Sequence, residues 1–229
     1  ESIRRELVDH GFDPARLQVV GRGVDTTIFR PEARCEAWRE AHGRGHSLKL
    51  LYVGRLSREK NLETLARAFC SLVERRPDLA LVLVGDGPFR TELQTLLAGT
   101  PAFFTGTLSG DELARAYASS DLFVFPSKTD TFGRVVLEAQ ASGLPVVVSS
   151  DGGPKDAMLD GRTGVVVPAL DEASLARAID TLTDDPARMS RFRRATIAHA
   201  ATKSHAASFE AFWRLHQFHA ERKSHPAPR

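Results

Sequence analysis

The 229 residues carry 31 Lys and Arg against 29 Asp and Glu, a net charge of +2. That balance leaves no basic excess with which to hold nucleic acid or an anionic membrane surface. A hydrophobic fraction of 42% with 26% charged residues describes a globular chain with a real core, long enough for one large domain or two small ones. Two cysteines, Cys35 and Cys70, exclude a disulfide framework and a cysteine metal site and read as reduced thiols, and no apolar run approaches the ~20 residues of a membrane span.

The chain opens on Glu1 without a methionine, in a charged amphipathic segment unlike a signal peptide, and reads as a piece of something longer. Residues 1–10 pattern as a helix with Ile3, Leu7 and Val8 on one side. Residues 17–20 pattern as a short strand and 32–42 as a helix, and Gly43 to His46 reads as a flexible connection. From there the pattern is regular. Apolar runs at 48–53, 80–84, 102–104, 122–125 and 146–148 alternate with amphipathic segments. One of these follows Asn61 as its cap, one carries Leu93, Leu96 and Leu97, and one opens on a Ser109–Glu112 capping box and ends near Ser119. A short helix at 155–159, a strand at 165–167, a helix at 171–183 capped by Asp171 and helix from Pro186 onward complete the chain. Phe209, Phe212, Trp213 and Leu215 are expected to pack back on the body, and residues 223–229 to fray.

Continuous rather than alternating apolar runs mean strands buried on both faces. Strands alternating with helices mean an α/β fold, here a Rossmann-like doubly wound parallel sheet of about six strands, with helices on both faces and further helices at the C-terminus. Residues 1–46 lead into a core at 47–200, and 201–229 form a terminal helix and tail. Ligands of such sheets bind at the carboxyl ends of the strands, so the loops after Val53, Val84, Phe104, Phe125 and Val148 line one edge.

The most informative of these loops runs from Ser127 to Pro145. A helix starting near Gly133 leaves Asp130 just before it and Glu138 one turn inside, with seven residues between them. Free N–H groups of Phe132, Gly133 and Arg134 would then face an anion. After the first strand, Gly54 permits a close turn, Arg55 offers a forked donor and Lys60 a point charge. Gly85-Asp-Gly-Pro88 and Gly152-Gly153 are weaker signals, each more often a tight turn than a phosphate loop. Convergence on one edge makes the set a diphosphate site. A hydride-transfer dinucleotide site needs G-x-G-x-x-G after the first strand, and only Gly54 stands there.

Gly54-Arg55-Leu56 with Glu59-Lys60-Asn61, Gly85-Asp86-Gly87, Asp130-Thr-Phe-Gly133 to Glu138-Ala139, Gly143-Leu-Pro-Val-Val147 and Asp160-Gly-x-Thr-Gly164 occur in one order. With Gly23-Val-Asp25 and Phe29-Arg-Pro31 leading in, this resembles the C-terminal, nucleotide-sugar-binding domain of the retaining glycosyltransferases of family four, with the GT-B fold. The resemblance covers nearly the whole chain. It implies that Arg55 and Lys60 bind the donor diphosphate and stabilise the leaving group without a metal. It also implies that the backbone at Phe132, Gly133 and Arg134, with Thr131 and Val135 beside it, contacts the sugar or the distal phosphate. Glu138 would hold the ribose hydroxyls, Asp130 would approach the sugar, and Gly54, Gly85, Gly106 and Leu108 would border the nucleotide, the last two near the base. Asp130 departs from the family's E-x7-E pattern, in which Glu is commoner, and is one methylene shorter.

The same resemblance implies a UDP-sugar as first candidate and a GDP-sugar as second. It implies a cytoplasmic protein whose acceptor site and any membrane contact lie in an N-terminal domain absent from this sequence, so that this piece binds nucleotide but is inactive alone. Two rival expectations stand beside it. One is a non-catalytic nucleotide-binding module of the same fold. The other is a GT-B phosphorylase or epimerase.

Overall fold

A computed structural model describes residues 2–224 of the chain, with side chains described for 3–217. Helix α1 spans Ser2–Asp9, a 3-10 turn follows at Pro14–Arg16 and another at Pro31–Ala33, and α2 covers Glu36–Ala41. Strand β1 is Leu48–Val53, helix α3 Leu62–Val73, β2 Leu79–Val84, α4 Arg90–Leu96 and β3 Ala102–Gly106. Then come α5 at Gly110–Ala118, β4 at Leu122–Phe125, α6 at Arg134–Ala141 and β5 at Val146–Ser149. A 3-10 turn at Pro154–Ala157 leads to β6 at Gly164–Val167. Helices α7 at Glu172–Thr183, α8 at Pro186–Ala201 and α9 at His205–Ser224 finish the chain.

The six strands form one parallel sheet in the order β3-β2-β1-β4-β5-β6. Helix α3 packs against α4 and α7, while α6 packs against α5 and α8, so the sheet is sandwiched between two helical layers. That explains the unbroken apolar strands: Leu50, Leu51, Leu81, Val82, Phe123, Val124, Val146 and Val147 point to both faces and every one is buried. Helix α3 shows the complementary pattern, burying Leu62, Leu65, Ala66, Phe69 and Leu72 along one stripe.

Several expectations are corrected. Residues 17–20 form no strand: the segment has no sheet neighbour among the described residues, and Val19 and Val20 are exposed. Without a ladder to join, an apolar run stays irregular. The helix expected over 32–42 is split into the turn at 31–33 and α2. Ser109 precedes α5 but makes no side-chain cap. Gly110 after it adopts a left-handed φ of 52°, so the chain enters the helix outside the regular geometry that a capping box needs. Asn61 likewise caps nothing with its carboxamide; it sits at φ 58° and uses its side chain elsewhere. The expected helix at 155–159 is the single turn 154–157.

The terminal aromatics do not pack back. Phe209 is 62% exposed, Phe212 51% and Trp213 46%, and the Phe209 and Trp213 rings stack on each other at 6.3 Å. Helix α9 is pinned at its start, where Val24 donates to Lys203 and accepts from His205, and those three aromatic side chains lie beyond the anchor. Leu215 is half-buried. The expected fraying at 223–229 falls partly on residues 225–229, outside the described residues; Lys223 and Ser224 are in α9.

Candidate functional site

In the order β3-β2-β1-β4-β5-β6 the direction of progression reverses between β1 and β4. In an open parallel sheet the crevice beyond the carboxyl ends at such a reversal is the natural ligand site. Three contacts tie the loops that leave these two strands. Asn61 Nδ2 donates to the Pro126 carbonyl at 3.3 Å, the Thr129 hydroxyl to the Glu59 carbonyl at 3.3 Å, and Lys60 Nζ pairs with Asp130 Oδ2 at 3.2 Å. The crevice is therefore built by one residue set.

The β1 loop is shaped from below. The Tyr52 hydroxyl, on a buried ring, donates to the Arg55 carbonyl at 3.0 Å. Gly85 lies so close that a Cβ there would sit 2.0 Å from the Gly54 oxygen, with φ at 133°. The Arg55 side chain is exposed and makes no hydrogen bond or ion pair among the described residues, so its guanidinium is free to meet an anion. Lys60 is half-buried and already paired.

The N-terminus of α6 is occupied rather than open. Gly133, at φ 68°, precedes the helix, and Asp130 Oδ1 accepts the N–H groups of Gly133 at 3.1 Å and Phe132 at 3.3 Å. The expectation of free N–H groups at Phe132 and Gly133 is thus corrected: a carboxylate three residues upstream reaches back to cap them, as helix N-termini favour. Burial pushes the Asp130 carboxyl up, but the Gly133 amide, the Lys60 ammonium and the Phe132 amide together outweigh it and hold it below the usual value. Behind this turn the Gly153 amide donates to the Asp130 carbonyl at 2.8 Å, which gives the Gly152-Gly153 pair its structural use.

Glu138 lies one turn inside α6 and is only 5% exposed. Its Oε1 accepts from Arg134 Nε at 3.0 Å and its Oε2 from the Tyr117 hydroxyl at 3.0 Å. Burial raises its pKa, outweighing the Tyr117 hydroxyl and the Arg134 charge, which both lower it. Tyr117 escaped the sequence reading. Its signal was a large polar-tipped side chain on the buried face of an otherwise Ala-rich helix, which α5 places beside α6.

The remaining expected residues divide in two. The Gly85 amide donates to the Gly106 carbonyl at 2.8 Å, so these two share the β2–β3 end of the edge, and Leu108 packs partly on the core there. Val135 is half-buried against the core as well. Thr131 and Phe132 instead line a cavity of about 560 Å³, shared with Ile3, Leu7, Val19 and Val20, and Arg22 lies over the Phe132 ring at 6.0 Å. Their side chains therefore border a second space beside the one defined by Lys60 and Asp130.

Residues 35–199 match the family model described as glycosyl transferases group 1. A GDP-mannose-dependent alpha-mannosyltransferase of Mycolicibacterium smegmatis is 46% identical over 66% of this chain and 39% of its own length. A sulfoquinovosyl transferase of Arabidopsis thaliana is 39% identical over 80% of this chain and 36% of its own. The chain thus spans well under half the length of these two relatives. The crystal structure of Anabaena HepE in complex with UDP superposes with a TM-score of 0.82 at 21% identity, over 93% of this chain and 61% of that one. The C-terminal domain of a group 1 family protein from Francisella tularensis superposes with a TM-score of 0.71 at 23% identity, over 79% of this chain and 98% of that one. The parallel sheet with its β1–β4 reversal is shared with these folds, and the family match runs from α2 through the β1 loop, the Asp130–Glu138 segment and α8: this chain belongs to the group 1 glycosyltransferases.

Proposed function

We propose that this chain is the donor-binding half of a retaining, family-four glycosyltransferase that moves a hexose or related sugar from a nucleoside diphosphate sugar to an acceptor held by the rest of the protein. The observation that carries the reading is the Lys60–Asp130 ion pair at the start of α6. It sets a cation and a helix N-terminus together at the reversal of the sheet, where a diphosphate that displaces the Asp130 carboxylate finds donors on two sides. Arg55, exposed and unpaired among the described residues, closes on the same anion. As the bond from the sugar to the diphosphate breaks, negative charge grows on the leaving oxygen, and the fixed charges of Arg55 and Lys60 stabilise it. Glu138 takes the ribose hydroxyls and Asp130 turns to the sugar. Gly106 and Leu108 border the base.

The GDP-mannose-dependent relative and the UDP-bound neighbour make both nucleotides candidates. Calorimetry with UDP and GDP on this chain is the test. Binding of at least one, weakened by on the order of 2–3 kcal/mol in Lys60→Ala as loss of a charge-assisted contact predicts, supports the reading. A folded chain that binds neither, or a Lys60→Ala variant that binds as well as the parent, sinks it. Sugar transfer with retained anomeric configuration by the longer protein separates the enzyme from a non-catalytic module, and phosphate-dependent cleavage or isomerisation would mark a phosphorylase or epimerase.

A further inference from the structure

The two hydrogen bonds on Glu138 differ in permanence. Tyr117 is completely buried. Its ring is wedged between Phe29, edge-on at 5.6 Å, and Phe123 at 5.7 Å, so its hydroxyl cannot leave Glu138 Oε2 without repacking the core. The Arg134 side chain on Oε1 is 70% exposed. An exposed guanidinium exchanges its partner for water or ligand at little cost.

We propose that Tyr117 is a positioning residue for donor recognition: it holds Glu138 Oε2 inward so that Oε1 is turned outward to a ribose hydroxyl, with Arg134 as a displaceable cover. The inference rests on the reading of Glu138 as the ribose contact. Its physical content is preorganisation. A glutamate has three side-chain torsions, and a buried carboxylate with one oxygen anchored presents the other in a single direction, so the ligand need not order it. Among the described residues, the charged and titratable groups that face Glu138 are Arg134 from its own helix and Tyr117 from α5. Removing the Tyr117 hydroxyl withdraws one of the two donors that favour the ionised form.

The test compares the parent chain, Tyr117→Phe, Glu138→Gln and the double variant by calorimetry with UDP, GDP and their 2′-deoxy and 3′-deoxy forms across pH. Tyr117→Phe is expected to weaken the ribonucleotide about ten-fold, as loss of one hydrogen bond to a charged group does. It should also shrink the preference for ribose over deoxyribose and move the acid limit of binding to higher pH. In the Glu138→Gln background the same change should have no further effect, because Tyr117 acts only through the carboxylate. A merely structural tyrosine would weaken both backgrounds alike and leave the sugar preference and the pH limit in place; that result overturns the proposal. Should Tyr117→Phe alone not fold, Glu138→Gln against the double variant still decides, since the buried charge is then absent. If Glu138→Gln binds both sugar forms like the parent, the ribose reading of Glu138 itself fails, and with it the proposal. Loss of ribose preference in Glu138→Gln but not in Tyr117→Phe fails the positioning role alone. A parent chain that binds no nucleotide overturns both.

Discussion

At the scale of single residues, the site is two carboxylates held in different environments, one capped by amides and a cation and one buried. Asp130 accepts two backbone N–H groups and the Lys60 ammonium, the partners that an incoming phosphate would want. Nucleotide must therefore compete with it, and Asp130→Asn, which keeps the shape but removes the charge, is expected to tighten UDP or GDP several-fold. Equal or weaker binding in calorimetry would show that Asp130 does not compete. The pKa values of the two acids are also shifted in opposite directions. Glu138, raised by burial, binds a proton in the folded state at a pH where the unfolded chain has released it. Its contribution to stability therefore falls as pH rises from the ordinary glutamate range through the raised value. Asp130, held low, contributes stability above the ordinary aspartate range that is lost as pH falls through its depressed value. The proposed ribose role of Glu138 requires the ionised carboxylate, and on that proposal nucleotide affinity should decline on acidification while Asp130 is still charged. Glu138→Gln should make that decline shallower, leaving the part due to protonation of the nucleotide's own terminal phosphate, as read from binding isotherms between neutral pH and the aspartate range.

At the scale of elements, the site depends on loops packed too closely for side chains. Gly85 combines a φ of 133° with a would-be Cβ 2.0 Å from the Gly54 oxygen, so Gly85→Ala must push the β1 and β2 loops apart. It is expected to lower stability by about 2–4 kcal/mol, from backbone strain plus overpacking, and to weaken nucleotide binding through Arg55. Urea denaturation together with calorimetry checks both effects. The sheet was legible because burial on both faces writes most of its strands as largely apolar runs, Leu79–Val84 without a break. The loop positions of Lys60 and Asp130 followed from that order of elements. What stayed hidden were features set by tertiary neighbours. Residues 17–20 have the apolar content of a strand but no ladder to join. Ser109 has the spacing of a cap, but the left-handed Gly110 follows it and no cap bond forms. Tyr117 looks like core until α6 brings a carboxylate to its hydroxyl. The aromatic spacing in α9 reads as a buried face, and only the position of its anchor at Val24 and Ser204 leaves that face in water.

At the scale of the whole molecule, the leading segment, the sheet and the last layer of helices meet at one buried acid. Asp121, at the start of β4, pairs with Arg39 of α2 at 2.9 Å and with Arg193 of α8 at 2.8 Å, and it accepts the Lys49 amide of β1 at 2.9 Å. Arg39 is itself buried, donates to the Ser119 and Ser47 carbonyls and has the exposed Glu36 carboxylate as a second, longer partner at 3.6 Å. Asp121→Ala would leave that guanidinium with only the exposed, more distant Glu36 carboxylate as counter-charge, and breaking one side of a buried pair costs about 3–5 kcal/mol. Yet Asp121 stands at the amino end of β4, one strand length from the carboxyl edge where Lys60 and Asp130 meet. The variant is therefore expected to lose stability in urea by that amount while binding UDP or GDP, at a temperature where it stays folded, as the parent does. Nucleotide affinity falling in step with stability would mean that the acid also sets the geometry of the β4 loop. Unchanged stability would mean that Glu36 and solvent suffice for Arg39 once Asp121 is gone.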